Sequence, residues 1–298
     1  MKILVVGSGG QLGQCLHKAL SKRKHQITFC YRKDLDVLDF SATKKKLLKI
    51  SPDVVINVAA YTQVAQAERN SRLVDRVNHL AVANIAEVCK SIDACLIHLS
   101  SDYVFDGQAL SPYSENDTPN PLSVYGISKL DGERAILASG CRHITIRSSW
   151  LFSEYGENFM KTMLQKAKTQ QILRVVSDQM GCPTYAPDLA KAVVLCLQNL
   201  SEGRTSVGLY HYCGNEASTW YDFAVLIFKY ASDYNLTELD NISLLQTLEE
   251  SREVIRPKYS AMNCTKFVNC FGGAPSDWKA GIRKTLERLK HDYHQTSL

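Results

Sequence analysis

The chain has 298 residues, a formal charge of +5, 45% hydrophobic and 22% charged residues. That length supports a real core in one large or two modest domains, and the composition excludes a disordered or fibrous chain. Such mild basicity, with lysines in short runs (Lys22 to Lys24, Lys44 to Lys46) that read as solvated helix faces, argues against a nucleic-acid partner. No apolar run approaches the ~18 residues of a membrane span, so no membrane partner is expected.

Lys2 to Val6 is an apolar strand pattern followed by Gly7-Ser-Gly-Gly10-Gln11-Leu12-Gly13 and a helical pattern through Leu20. Strand, glycine turn and helix form the context of a dinucleotide fingerprint: the glycines let the backbone approach a pyrophosphate, whose charge faces the helix N-terminus. The second strand, Gln26 to Tyr31, runs into Arg32 and Lys33. Two cations there suit the 2′-phosphate of NADPH, while Asp34 and Asp36 close behind leave NADH open. Val54 to Val58 reads as a buried strand whose carboxyl end, Ala59-Ala60-Tyr61-Thr62, either leaves room for a cofactor or packs on a helix. Val74 to Lys90 reads as one long helix containing Asn78, a residue with a place in a proton relay or in local bonding. Cys95 to Leu99 is the next strand, and it delivers Ser100, Ser101, Asp102 and Tyr103 at the edge where open parallel sheets bind ligands.

Tyr125-Gly-Ile-Ser-Lys129 puts a phenol and an ammonium on one helix face. An adjacent ammonium favours the phenolate and lowers the phenol's pKa from its usual ~10. With the Ser101 hydroxyl to hold a substrate oxygen, Ser101, Tyr125 and Lys129 suit hydride transfer between a nicotinamide and an alcohol or ketone. The ten cysteines contain no Cys-x-x-Cys pair and sit mostly in apolar runs. They read as buried thiols of a reducing compartment, and with the chain opening directly on a strand the expectation is a cytoplasmic protein with no metal site.

Beyond Trp150 the strand–helix alternation falters. Asn158 to Lys168, Pro187 to Leu200, Trp220 to Ser232 and Trp278 to Leu289 read as helices, with residues 292–298 frayed. Leu173 to Val176 and Val207 to Cys213 read as strands, the second returning to the main sheet. The aromatics Trp220, Tyr221, Phe223 and Phe228 read as core rather than a stacking platform. Arg256-Pro257-Lys258 either holds a diphosphate by paired hydrogen bonds or is surface charge.

The fold class is therefore α/β: a doubly wound Rossmann-type parallel sheet with a smaller C-terminal α/β substrate domain. Residues 1–147 plus about 186–213 form the dinucleotide-binding part, and about 148–185 plus 214–298 the substrate part. The glycine turn, Asn57-x-Ala-Ala-Tyr-Thr62, Ser100-Ser-Asp-Tyr-Val-Phe105 and Tyr125-Gly-x-x-Lys129 together resemble the extended short-chain dehydrogenase/reductases. Arg147-Ser-Ser-Trp150-Leu-Phe, Asn158-Phe-x-Lys-Thr-Met163, Asp178-Gln179-x-Gly-x-Pro-Thr184 and Arg256-Pro-x-x-Ser260 narrow the resemblance to the dTDP-4-dehydrorhamnose reductase family.

The resemblance implies NAD(P)H-dependent reduction of the C4 ketone of a dTDP-sugar, with Tyr125 as proton donor and Lys129 lowering its pKa and holding the nicotinamide ribose. It implies cofactor contacts at Gly10, Gln11, Leu12, Asp39, Phe40, Ala60, Tyr61 and Thr62. Substrate contacts are implied at Ser101, Asp102, Tyr103, Trp150, Asn158, Gln179 and Arg256. Ser101 stands where the family usually has Thr, which keeps the hydroxyl. Ala65 stands where an acid is frequent. Some relatives bind a divalent metal between subunits through glutamates; the matching positions here are Cys15 and Pro187 or Asp188, so that site is not expected. A homodimer, another nucleotide 4-keto-6-deoxy sugar as substrate, and a non-catalytic subunit of the same fold stay open.

Overall fold

The computed structural model describes residues 1–21, 24–204, 206–234, 242–248 and 254–295, with side chains to residue 290. Two of the three cations of the Lys22 to Lys24 run and the last residues of the expected frayed tail, 296–298, lie outside the described residues.

In chain order the first half runs β1 (Lys2–Val6), α1 (Gln11–Leu20), β2 (Gln26–Cys30), α2 (Phe40–Ile50), β3 (Val54–Asn57), α3 (Val64–Ala67) and α4 (Ser71–Asp75). A π turn (Arg76–Leu80), α5 (Ala81–Ser91), β4 (Cys95–Ser101), a 3-10 turn (Asp102–Val104), α6 (Val124–Ser139) and β5 (His143–Ser148) complete it. The second half runs β6 (Leu151–Phe152), α7 (Phe159–Ala167), β7 (Ile172–Val176), β8 (Met180–Gly181), β9 (Thr184–Tyr185) and α8 (Ala186–Ser201). Then come β10 (Gly208–His211), β11 (Ser218–Thr219), α9 (Trp220–Asp233), β12 (Ser243–Thr247), α10 (Thr265–Phe271) and α11 (Trp278–Gln295).

The main sheet has six strands in the order β10-β5-β4-β3-β1-β2, every pair parallel. Successive strand residues face opposite sides. Ile3 and Val5 accordingly pack with Ile56, Ile97 and Ile146 against Leu16 of α1 and Leu189, Val193 and Leu197 of α8. Leu4 and Val6 pack with Val55 and Leu96 against Leu47 of α2, Ile85 and Ala86 of α5 and Ile136 of α6. Both faces are thus dry, which is why these strands read as unbroken apolar runs. The chain leaves β2, crosses β1 and resumes at β3, so the carboxyl ends of β1 and β3 form the switch point where such sheets hold ligands.

A further core lies C-terminal to Trp150: Phe152, Met160, Leu164, Phe223, Ile227, Trp278, Ile282 and Leu286 pack together. The expected β strand at 207–213 joins the main sheet beside β5, and the Leu244–Leu245 segment pairs with β7. Two expectations are corrected. Val74 to Lys90 is not one regular helix, because α4 and α5 are joined through the π turn. The last helix continues to Gln295, past Leu289, so residues 292–295 are helical rather than frayed. Among the described residues no helix is long and apolar enough to cross a membrane.

Candidate active site

The glycine turn is built by close approach. Gly7 has φ +88°, and a Cβ there would sit 2.5 Å from the Ala59 nitrogen at the end of β3. At Gly13 a Cβ would sit 2.6 Å from the Gly7 oxygen. Side chains are therefore excluded where β1 and β3 diverge, and the helix α1 starts from Gly10 without a side-chain cap. Uncapped N–H groups at a helix start, with no Cβ in front of them, fit a pyrophosphate. Tyr31, at the end of β2, has its ring near Gly9, and Arg32 is exposed beside it. Asp34 accepts a hydrogen bond from the Tyr31 N–H, and Asp36 from the Leu38 N–H. Both carboxylates are thus occupied in their own turn, which leaves Arg32 and Lys33 as the cations suited to a 2′-phosphate. Asp39 caps α2 by accepting from the Ala42 N–H, and Phe40 follows as its first residue.

The far wall is held by Asn78, which the sequence left between relay and local bonding. It is buried on the π turn, its side chain accepts from the Tyr61 N–H at 2.8 Å, and its amide donates to the Tyr61 carbonyl and to Ser128 Oγ. Asn78 thereby fixes the Ala59–Thr62 segment to the helix that carries Tyr125. Asn57 supports the same segment by accepting from the Ala59 N–H.

Strand β4 and helix α6 bring Ser101, Asp102, Tyr103, Tyr125 and Lys129 together, all buried. Ser123 caps α6 by accepting from the Gly126 N–H at 3.1 Å, so Tyr125 sits in its first turn. Tyr103 packs edge-on against Tyr125 with ring centroids 5.5 Å apart. Burial raises the Tyr125 pKa above its ordinary value; the Ser101 hydroxyl opposes that shift, and Asp102 and Tyr103 add to it. Burial pulls the Lys129 ammonium down to about 8, against the pull of Glu133. Lys129 Nζ donates to the Leu99 carbonyl at 2.6 Å. The expected lowering of the Tyr125 pKa by Lys129 is therefore not what this arrangement gives: desolvation dominates, and the ammonium is turned to the backbone of β4. Below this cluster Glu133 takes both Nε and Nη2 of buried Arg147, at 2.9 and 2.6 Å, and accepts from Ser100 Oγ.

Asp102 accepts from Ser101 Oγ at 3.0 Å and from Ser260 Oγ at 2.7 Å. Burial pushes its pKa up to about 6, against those two hydrogen bonds. Ser260 is a site residue that sequence reasoning quoted in a motif without giving it a role. Arg256, four residues before it, donates to the Tyr103 hydroxyl at 3.2 Å, so the 256–260 segment lies against the site. Gln179 is buried one residue before Met180, whose N–H and carbonyl bond to Lys258 and Ser260 of that segment. Trp150 has φ +47° and stacks on Trp220 at 3.5 Å between centroids; Trp220 and Tyr221 pack against the C-terminal core in which Phe223 and Phe228 are buried. Asn158 caps α7 and donates to Gln11 Oε1 at 2.8 Å, which ties it to the glycine turn.

The profile of the RmlD substrate binding domain family matches residues 1–291. The chain belongs to that family. A dTDP-4-dehydrorhamnose reductase of Aggregatibacter actinomycetemcomitans is 37% identical, over 95% of this chain and 97% of that one. The crystal structure of a dTDP-4-dehydrorhamnose reductase from Bacillus anthracis in complex with NADP superimposes with a TM-score of 0.86 at 32% identity, covering 96% of this chain and 99% of that one. A dTDP-4-dehydrorhamnose reductase ortholog from Clostridium acetobutylicum gives a TM-score of 0.89 at 34% identity, covering 97% and 100%.

The metal site known in some of the family does not fit this member. Cys15 and Asp188 line a cavity of about 690 Å³ behind the sheet, together with Lys18, Lys191, Lys284 and Arg288. Burial pushes the Cys15 thiol up to about 12, and Asp188 is paired with Lys191 and accepts from Ser276. A neutral thiol and an occupied carboxylate among cations do not make a divalent-cation site. Among the described residues no group of three or more His, Cys, Asp or Glu is placed to hold a metal ion.

Proposed function

We propose that this chain reduces the C4 ketone of dTDP-4-dehydro-L-rhamnose to dTDP-L-rhamnose, with NADPH as preferred reductant and NADH as an accepted one. The observation that carries the reading is the gathering of Ser101, Tyr125 and Lys129 at the carboxyl edge of the sheet, next to a glycine turn that fits a pyrophosphate, in a chain collinear with named reductases of this reaction. The NADP complex of the Bacillus anthracis relative supports the cofactor.

Bound NADPH supplies the hydride to the ketone carbon. Tyr125 gives its phenolic proton to the ketone oxygen as negative charge develops there, which its buried, protonated state suits. Ser101 donates a hydrogen bond to the same oxygen. Lys129, fixed on the Leu99 carbonyl, places positive charge beneath the site and offsets the phenolate that Tyr125 becomes. Gly7, Gly10, Gln11, Leu12 and Gly13 receive the pyrophosphate, Arg32 the 2′-phosphate, Asp39 and Phe40 the adenine end, and Ala59 to Thr62 the opposite wall. Tyr103, Trp150, Gln179 and Arg256 contact the sugar nucleotide, and Asp102, expected among these contacts, acts through Ser101. Asn158 acts through Gln11 on the cofactor side.

In this reading residues 1–147 with about 186–213 hold the cofactor, and about 148–185 with 214–298 hold the sugar nucleotide. The enzyme works in the cytoplasm on a soluble dTDP-sugar, without nucleic-acid or membrane partners. Whether it acts as monomer or homodimer is read by sedimentation. The deciding experiment supplies enzymatically made dTDP-4-keto-L-rhamnose and NADPH and identifies the sugar by NMR. Formation of dTDP-L-rhamnose with stoichiometric NADPH oxidation is expected; a C4 epimer or no oxidation overturns the reading.

A further inference from the structure

The hydrogen bonds around Ser101 conflict with its role as donor to a ketone. An ionised carboxylate only accepts, so the 3.0 Å contact commits the Ser101 proton to Asp102. A hydroxyl oxygen has two acceptor positions. One takes the Tyr103 N–H at 3.2 Å. With Asp102 charged, the Ser101 proton is therefore spent inside the protein. With Asp102 neutral, its new O–H donates to Ser101 Oγ. That fills the remaining acceptor position of Ser101 and frees its proton to point outward.

We propose that Asp102 is a positioning residue whose protonation turns the Ser101 hydroxyl from that carboxylate toward the substrate's ketone oxygen, with Ser260 setting the pH at which this happens. The inference rests on the reductase reading above. The carboxylate takes one proton from hydronium, forming its O–H bond and leaving water, and the Ser101–Asp102 hydrogen bond reverses. Asp102 is buried, and among the described residues the titratable groups facing it are the Tyr125 phenol from α6 and the Cys182 thiol between β8 and β9. Arg256 donates to the Tyr103 hydroxyl beside it. Ser260 donates to the other carboxylate oxygen and so favours the charged form.

The test is the pH profile of kcat at saturating substrates between pH 5 and 8.5 (roughly the range that brackets a carboxyl titrating near neutrality). Wild type should lose rate above about 6, where Asp102 ionises, approaching tenfold per pH unit. Asp102→Asn offers an amide N–H to Ser101 at every pH, so its profile should be flat over that range. Ser260→Ala removes a donor to the carboxylate and should move the break to higher pH. A merely structural role would lower the rate and keep the break, and an unmoved break in either folded variant overturns the proposal. If Asp102→Asn does not fold, Ser260→Ala decides alone. The carboxyl 13C resonance of Asp102 in the free protein should break at the same pH as kcat/KM. That titration intact, with no turnover of any nucleotide 4-keto sugar, rejects the proposed reaction and not the hydrogen-bond switch.

Discussion

Tyr125 and Lys129 share a helix face, yet burial moves both toward their neutral forms: the phenol's pKa rises, and the ammonium's falls to about 8. For a reduction the protonated phenol is the required reactant, so Tyr125→Phe should cut kcat by roughly 10²-fold or more. NADPH affinity, measured by fluorescence titration, should stay within about twofold in that variant, and a near-normal kcat would remove Tyr125 from the mechanism. Lys129 has a stability signature as well. Its folded pKa lies below the ordinary 10.5. Between about 8 and 10.5 the unfolded chain therefore holds more protons, and stability rises with pH across that window. Below it the cost of the buried charge is felt in full. Lys129→Met should be inactive, and its melting temperature relative to wild type should be highest near neutral pH and decline as pH approaches 10. A constant difference across that range would show that the lysine's charge carries no such cost.

At the scale of elements, the glycine turn, the strands that feed the sheet edge and the Tyr–Lys helix were legible because each is a local pattern: apolar runs, glycine spacing, a four-residue interval. The π turn was not, since one extra residue leaves the apolar spacing of Val74 to Lys90 nearly unchanged. Nor was the direction of Lys129, because a four-residue interval fixes a shared face and not what else lies there. The Asp102–Ser260 contact joins positions 158 residues apart, and nothing local announces it. The π turn exists because Asn78 must meet Tyr61 on one side and α6 on the other. A Cβ on Gly132 of α6 would lie 2.3 Å from the Asn78 carbonyl oxygen. Replacing glycine by alanine within a helix ordinarily gains about 1 kcal/mol. Here Gly132→Ala should lose stability by about 2 kcal/mol, as overpacking does, and should weaken NADPH binding through Tyr61. Denaturant unfolding measures the first effect; a stabilised Gly132→Ala would mean that the two helices separate freely.

Over the whole molecule, the chain beyond Trp150 meets the site at several points, and three of these contacts end at different parts of it. Asn158 reaches Gln11 of the glycine turn, Ser260 reaches Asp102, and Trp220 stacks on Trp150. Trp150 is held with φ +47°, a left-handed conformation that costs a bulky residue on the order of 1 kcal/mol. Its indole fills the space where a Cβ of Gly181 would be, 2.6 Å away. The stack with Trp220 therefore helps hold an unfavourable backbone, and aromatic pairs contribute about 1 kcal/mol beyond the area they bury. Removing Trp220 should let Trp150 relax. Because Asn158 and the glycine turn do not run through this stack, the loss should fall on one substrate only. Trp220→Ala should raise KM for the sugar nucleotide by about tenfold, the equivalent of ~1.4 kcal/mol. The Kd for NADPH should move less than about twofold. Equal weakening of both ligands would mean instead that the stack supports the entire C-terminal packing, with Phe159 and Phe223 collapsing along with it.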